Sequence, residues 1–99
     1  MNTPECRDAA LKYLSLSDKT ASEVRKYLAS RGYASGEIAE TLIFLEEFHY
    51  VDDAAYCAQY MRNALLRKRR GITGTKRELG EKGIDRNTIE EALAAFIAE

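Results

Sequence analysis

The stretch YVDDAAYCAQYMRNALLRKRRG, from Tyr50 to Gly71, decides the fold, because its pattern predicts one long helix. Asp52 can accept hydrogen bonds from the free N–H groups of a first helical turn. Gly71 can adopt the left-handed backbone conformation that ends a helix. Between them, apolar residues recur at three- and four-residue spacing, which is typical of one buried helix face. The predicted buried residues are Cys57, Met61, Ala64 and Leu65, with Tyr56 and Tyr60 on the flank.

Positive charge is concentrated in the second half of this stretch. The chain has 99 residues with 15 Lys and Arg against 16 Asp and Glu, yet no acidic residue lies between Ala54 and Arg77. A local cluster of cations, rather than the net charge of -1, sets the potential that a partner meets. We therefore predict a surface that contacts a polyanion or an acidic protein groove. Its candidate residues are Arg62, Arg67, Lys68, Arg69, Arg70, Lys76, Arg77 and Lys82.

Helical patterns flank the long helix on both sides. Three helices are predicted before it, and two more follow, the first of them over about Thr73 to Lys82. No segment alternates with a period of two for long enough to form a strand, so the predicted fold class is all-α. The residues expected to begin or end these helices are Pro4, Thr20, Glu23, Gly32, Ser35, Gly83 and Asp85.

The chain aligns with itself when it is shifted by 51 residues. Nearly all of the matching positions are apolar or helix-ending, which indicates a structural repeat. We predict two tandem three-helix repeats, residues 1–48 and 49–99, each similar to a helix-turn-helix unit. The matched pairs are Cys6/Cys57, Leu14/Leu65, Leu28/Leu79, Gly32/Gly83, Tyr33/Ile84, Ile38/Ile89, Glu40/Glu91, Leu42/Leu93 and Leu45/Phe96.

The composition argues against several functional classes. The apolar runs are too short to cross a membrane and the N-terminus lacks a signal-peptide core, so a cytoplasmic protein is expected. Both cysteines, Cys6 and Cys57, are expected to be reduced and buried. Asp52 and Asp53 are better explained by helix capping than by metal binding. His49 has no nucleophile or acid at a recognisable spacing. We predict no cofactor, no metal and no enzymatic activity.

Several of these residues together resemble the RecX family of bacterial regulators. Tyr50-Val51-Asp52-Asp53, Tyr56, the basic helix end and Gly71 resemble its second repeat, as do Glu78-Leu79 and Lys82-Gly83-Ile84 further on. Upstream, Glu23-Val24, Leu28 and Gly32-Tyr33 resemble its first repeat. Members usually carry a third repeat, whereas this chain holds two. Ile72 and Thr75 depart from the family pattern, which prefers Pro and then Ile or Leu at these positions.

This resemblance implies a small, non-enzymatic helical protein that binds the recombinase RecA, above all as filaments on single-stranded DNA. Members inhibit the recombinase, ATPase and co-protease activities and so modulate DNA repair, recombination and the SOS response. They are thought to lie along the helical groove of the filament, and some bind DNA directly. For this chain we expect a monomer whose basic residues, named above, contact RecA or single-stranded DNA.

Two other interpretations compete with this one. A tandem helix-turn-helix protein would read DNA sequence through its third and sixth helices. The predicted outward faces of these helices carry acidic residues, which disfavours contact with phosphates. These residues are Glu37, Glu40, Glu46, Glu47, Glu90 and Glu91. A purely structural adaptor is favoured only if the basic residues prove inert.

Tyr60 shares the basic helix and could stack on an unpaired base.

Overall fold

The computed structural model describes residues 3–99, which form six α-helices and no strand. The all-α prediction is therefore confirmed. The helices are α1 (Thr3–Leu14), α2 (Ala21–Ser30), α3 (Ser35–Glu47), α4 (Asp53–Met61), α5 (Ile72–Glu81) and α6 (Arg86–Ala98). A π-helical turn, Arg62–Arg67, continues α4. Met1 and Asn2, which begin the predicted first repeat, lie outside the described residues. None of the six helices combines the length and the apolar character that a membrane span requires.

The chain divides into two compact units, the first extending to Asp52 and the second covering Asp53–Glu99. Helices α2 and α3 reappear as α5 and α6 with both boundaries shifted by 51 residues, which confirms the predicted three-helix repeat. The division lies after Asp52 rather than after residue 48. Val51 is buried with the first core, because it follows directly on the turn that ends α3.

The first unit has its own hydrophobic core where α1, α2 and α3 meet. The spacing of the apolar residues places one stripe of each helix inward, as the sequence pattern predicts. The buried residues are Cys6, Ala10, Val24, Leu28, Ile38, Leu42, Leu45 and Val51. Phe44 packs against this core, whereas Phe48 is largely exposed because it follows the last helical residue.

The second unit repeats this arrangement with a smaller core of Cys57, Met61, Leu79, Ile84 and Ile89. The predicted burial of Cys57, Met61 and Ala64 is confirmed, and Leu65 packs against the core as a half-buried residue. Ile97 of α6 is largely exposed, because it lies in the last turn before the helix ends.

The predicted helix begins where its expected cap, Asp52, indicated, because α4 starts at Asp53, but its other end is wrong. At its start, the N–H groups of Tyr50 and Val51 donate to the carbonyl of Leu45 at 2.8 and 3.2 Å, so these residues belong to the end of α3. At its other end, helical geometry stops at Arg67, and Gly71 has extended backbone angles as the N-cap of α5. Gly71 thus begins the next helix instead of ending this one.

Residues with a left-handed backbone conformation end three of the helices. Gly32 and Gly83 have φ angles of 89° and 86°, and each is followed by an N–H that donates five residues back to the helix. Both glycines therefore end α2 and α5 as predicted, since glycine adopts this conformation without a steric cost. His49 occupies the equivalent place after α3 with φ of 61°, although it carries a side chain.

The predicted helix caps at Thr20 and Asp85 are present. The Thr20 hydroxyl accepts from the N–H of Glu23 at 3.1 Å, and the Glu23 carboxylate accepts from the N–H of Thr20 at 2.9 Å. Asp85 accepts from the N–H of Thr88 at 3.1 Å. These bonds satisfy donors that a helix start leaves free, and they fix where α2 and α6 begin.

Thr75, one of the two departures from the RecX pattern, is fully buried in the second unit. Its hydroxyl donates to the carbonyl oxygen of Gly71 at 2.9 Å, four residues earlier. A buried hydroxyl is costly only when it lacks a partner. Thr75 can therefore replace an aliphatic residue at this position of the core.

Candidate functional site

The basic segment, Arg67–Arg70, begins at the last residue of the π-helical turn and is exposed along its whole length. The N–H of Lys68 donates to the carbonyl of Asn63 at 3.1 Å, five residues back, which is the hydrogen bond of a π-helix. Arg69 then has a left-handed backbone with φ of 52°. The N–H of Arg70 returns to the carbonyl of Ala64 at 2.9 Å. The segment is thus a tight, hydrogen-bonded turn at the end of α4.

Three of the eight candidate cations are held by acidic residues of the second unit. Arg62 pairs with Glu99, and Lys76 pairs with Glu90 at 2.8 Å. The Nη1 group of Arg70 donates to both carboxylate oxygens of Glu78 at 2.6 Å, in a charge-assisted contact. These three side chains retain less positive charge for a partner than the sequence indicates, because a carboxylate already lies beside each of them.

The remaining candidates differ in their surroundings. Within residues 3–99, no carboxylate lies at ion-pair distance from Arg67, Lys68 or Arg69, which we call the basic triplet. Arg77 is exposed and lies near enough to Glu78 to affect its ionisation. The Lys82 ammonium lies 6.0 and 5.8 Å from the ring centroids of Tyr56 and Tyr60. The basic triplet is therefore the part of the predicted surface with uncompensated charge.

Glu78 joins the basic segment to α4 and α5. Its carboxylate accepts from the Tyr60 hydroxyl at 2.6 Å as well as from Arg70. The hydrogen bond from Tyr60, with the positive charge of Arg70, lowers the pKa of Glu78 below the usual carboxyl range. The same hydrogen bond raises the pKa of the Tyr60 hydroxyl. The network keeps Arg70 beside α5 and fixes the end of the basic segment.

Tyr60 is less accessible to an unpaired base than its place on the basic helix suggests. It is half-buried, and its ring stacks on Tyr56 with centroids 6.1 Å apart. Its hydroxyl is already engaged by Glu78. The structure assigns this ring to packing within the second unit.

No metal-binding cluster of side chains is found within residues 3–99. No group of three or more His, Cys, Asp or Glu side chains there is placed to hold a metal ion. Cys57 is fully buried, and burial, with the nearby charges of Asp53 and Asp85, raises the pKa of its thiol to about 11. A thiol in this environment is a poor nucleophile near neutral pH.

The geometry also bears on the alternative of sequence-specific DNA reading. On α3, Glu40, Glu46 and Glu47 are exposed, and on α6 Glu91 is exposed. A recognition helix in the major groove lies between two rows of phosphates, where such carboxylates are repelled. The basic triplet instead lies after α4. This distribution favours contact with a phosphate backbone or an acidic protein surface over base reading.

Sequence reasoning missed the pairing of these cations. Arg70 and Glu78 are eight residues apart, and Lys76 and Glu90 are fourteen apart, so neither pair follows from helical periodicity. The available signal was Glu78 itself, the first acidic residue after the acid-free window. The π-helical turn that sets the direction of the basic segment has no signature in the sequence.

Both halves of the chain match descriptions of known domains. Residues 6–45 match the family described as RecX, first three-helix domain, and residues 52–93 match RecX, second three-helix domain. The crystal structure of RecX from Lactobacillus salivarius is similar, with a TM-score of 0.90 and 31% sequence identity. That match covers 95% of this chain and 61% of the crystallised chain.

Similar sequences carry the name Regulatory protein RecX. The chain is 32% identical over 95 residues to the protein of Clostridium botulinum (strain Eklund 17B / Type B), covering 96% of this chain and 44% of that one. It is 37% identical over 87 residues to the protein of Bacillus licheniformis, covering 88% and 33% respectively. The chain therefore spans less than half the length of these relatives.

Proposed function

The chain belongs to the RecX family, and from this premise we propose that it is a non-enzymatic regulator of RecA. In this proposal it binds cytoplasmic RecA filaments on single-stranded DNA and lowers their recombinase and ATPase activities. The observation that carries the proposal is the basic triplet, Arg67, Lys68 and Arg69. Arg62, Arg70 and Lys76 pair with carboxylates, whereas the residues of the basic triplet are exposed and have no such partner among residues 3–99.

The triplet suits a phosphate backbone in particular. Lys and Arg release condensed counterions when they meet phosphates, and this gain requires no base-specific geometry. The π-helical turn and the return hydrogen bond from Arg70 present the triplet on a constrained loop, so less conformational entropy is lost on binding than with a flexible tail. Bridging of neighbouring RecA subunits by the two units would then hinder filament growth and the subunit communication that ATP hydrolysis needs.

The test is the rate of ATP hydrolysis by RecA on single-stranded DNA as the chain is titrated in. We expect inhibition below one chain per RecA subunit, and its loss in Arg67→Glu/Lys68→Glu. The matched control, Arg25→Glu/Lys26→Glu, reverses two exposed cations of α2 and should inhibit like the unaltered chain. Arg70 is left intact, because its reversal would also break the pair with Glu78.

The possible results separate the alternatives. Equal inhibition by the triplet variant and the control would support the regulatory function and show that another surface contacts the filament. The absence of inhibition by the unaltered chain at several-fold excess would refute the proposal for this two-repeat chain. Tight binding to one DNA sequence, lost on substitution in α3 or α6, would instead favour the tandem helix-turn-helix function.

A further inference from the structure

A second unpartnered surface lies on the first unit, which we call the aromatic patch: Ile43, Phe44, Phe48 and Tyr50. Ile43 is 63% exposed, Phe48 62% and Tyr50 53%. The Phe44 ring lies between the other two aromatic residues, with centroids 5.1 Å from Phe48 and 6.1 Å from Tyr50. The side chains are therefore contiguous, and contiguous exposed apolar groups mark interaction sites more often than scattered ones do.

The repeat shows that folding does not require this patch. At a shift of 51 residues, Ile43, Phe44 and Phe48 correspond to Ala94, Ala95 and Glu99. The second unit forms the same three helices with these small or polar residues. Positions that the fold does need keep their character, as with Leu28 and Leu79, which are both fully buried. The aromatic side chains are thus an addition to the first unit.

The backbone beside the patch is also unusual. His49 lies between Phe48 and Tyr50 and has a left-handed φ of 61°. At the corresponding helix ends of α2 and α5, glycines (Gly32 and Gly83) adopt this conformation. The N–H of Tyr50 donates to Leu45 at 2.8 Å and brings the chain back onto α3. This turn places aromatic rings on both sides of His49 against Phe44. A side chain kept in this conformation is typical of functional sites.

The surroundings of the patch indicate its partner. A groove of about 440 Å³ opens beside it, and its lining includes Glu40, Glu47 and Arg7, whose guanidinium lies 4.3 Å from the Phe44 ring centroid. Glu46 is exposed in the last turn of the same helix. With more carboxylates than cations, this rim repels phosphates. It complements a protein surface that presents apolar and positively charged side chains.

We propose that the aromatic patch is the contact of this chain with the protein component of its target filament, whereas the basic triplet contacts nucleic acid. This inference rests on the proposed function, since it assigns a partner to each of two surfaces. Aromatic residues are enriched at the energetic centres of protein interfaces, which fits Phe48 and Tyr50. The acidic rim then steers the patch toward cations of the protein.

The experiment measures binding of the full chain to RecA without DNA, and to single-stranded DNA without RecA. Phe48→Ser should weaken RecA binding about tenfold, as expected for a central interface aromatic, and leave DNA binding unchanged. Its control, Ile97→Ser, removes an apolar side chain that is 66% exposed on α6 and should change neither affinity. Glu47→Lys should also weaken RecA binding, whereas Glu81→Lys, on the exposed side of α5, should not.

Several results would overturn this assignment. RecA binding that is unchanged in Phe48→Ser would show that the patch is not the contact, while inhibition by the unaltered chain would preserve the proposed function. Loss of DNA binding in Phe48→Ser would make nucleic acid the partner of the patch. Self-association of the chain in sedimentation velocity, abolished by Phe48→Ser, would make a second copy the occupant. If the unaltered chain binds no RecA, the proposed function fails and this assignment fails with it.

Discussion

Replacement of Arg69 by glycine should stabilise the fold while weakening polyanion binding. Arg69 has a φ of 52°, a conformation that costs a side-chain-bearing residue roughly 1–2 kcal/mol. Glycine adopts it freely but loses more backbone entropy on folding, roughly 0.5–1 kcal/mol. The net gain for Arg69→Gly is therefore about 0.5–1 kcal/mol, even though the variant loses an exposed charge.

The matched control is Arg67→Gly, which removes the same charge from a helical position. Glycine in a helix interior costs roughly 1 kcal/mol relative to alanine, and Arg67 is the last helical residue, so this variant should be destabilised by at most about that amount. Urea denaturation followed by circular dichroism measures both changes. If Arg69→Gly lowers the urea midpoint as Arg67→Gly does, the reasoning from its backbone conformation is refuted.

Binding to single-stranded DNA provides the second measurement on the same two variants. Each phosphate contact contributes a slope of about -0.7 to the dependence of log affinity on log salt. Both variants should reduce the magnitude of the slope by about that amount, since each loses one member of the basic triplet. A gain in stability with a loss in salt dependence would separate the backbone role of Arg69 from its charge. An unchanged slope in both would exclude these residues from DNA contact.

Three further predictions follow from the helix ends, the cores and the Glu78 network. His49→Gly should relieve the left-handed strain and raise the free energy of unfolding by about 0.5–1 kcal/mol, which is seen as a higher urea midpoint. It should not affect DNA binding. Leu79→Ala should cost about 2–5 kcal/mol, because its side chain is fully buried; a change below about 1 kcal/mol would contradict this packing. The lowered pKa of Glu78 contributes stability that is present above the usual carboxyl pKa and lost as pH falls through the lowered value. Unfolding measured from pH 7 to pH 2 should therefore show a weaker acid dependence in Glu78→Gln than in the unaltered chain.

The repeat and the core could be predicted because both depend on local patterns. A buried helix face repeats with the helical period, so the burial of Leu28 and Leu79 could be predicted from their spacing. A left-handed helix end favours glycine, so Gly32 and Gly83 could be predicted as helix ends. The Thr20 and Asp85 caps are equally local, since each bonds to a residue three positions away. For the same reason the six helices were predicted correctly in number and order.

The end of the long helix could not be predicted, because two residues departed from their usual roles. Gly71 fits a helix end by composition, yet it has an extended backbone and begins α5. Arg69 adopts the left-handed conformation that was expected of glycine. The difference arises because the return hydrogen bond from the Arg70 N–H to the Ala64 carbonyl and the ion pair of Arg70 with Glu78 stabilise a turn that local propensity disfavours.

The sequence by itself determined the all-α class, the three-helix repeat and the concentration of cations after Ala54, because each is a property of residue order. Only the tertiary structure decided which cations remain free. Arg62, Arg70 and Lys76 meet carboxylates from elsewhere in the second unit, while the basic triplet meets none within residues 3–99. Charge pairing depends on distance in space, and folding brings together charged residues that are far apart in the sequence. The aromatic patch likewise became visible only when folding left Phe48 and Tyr50 outside the core.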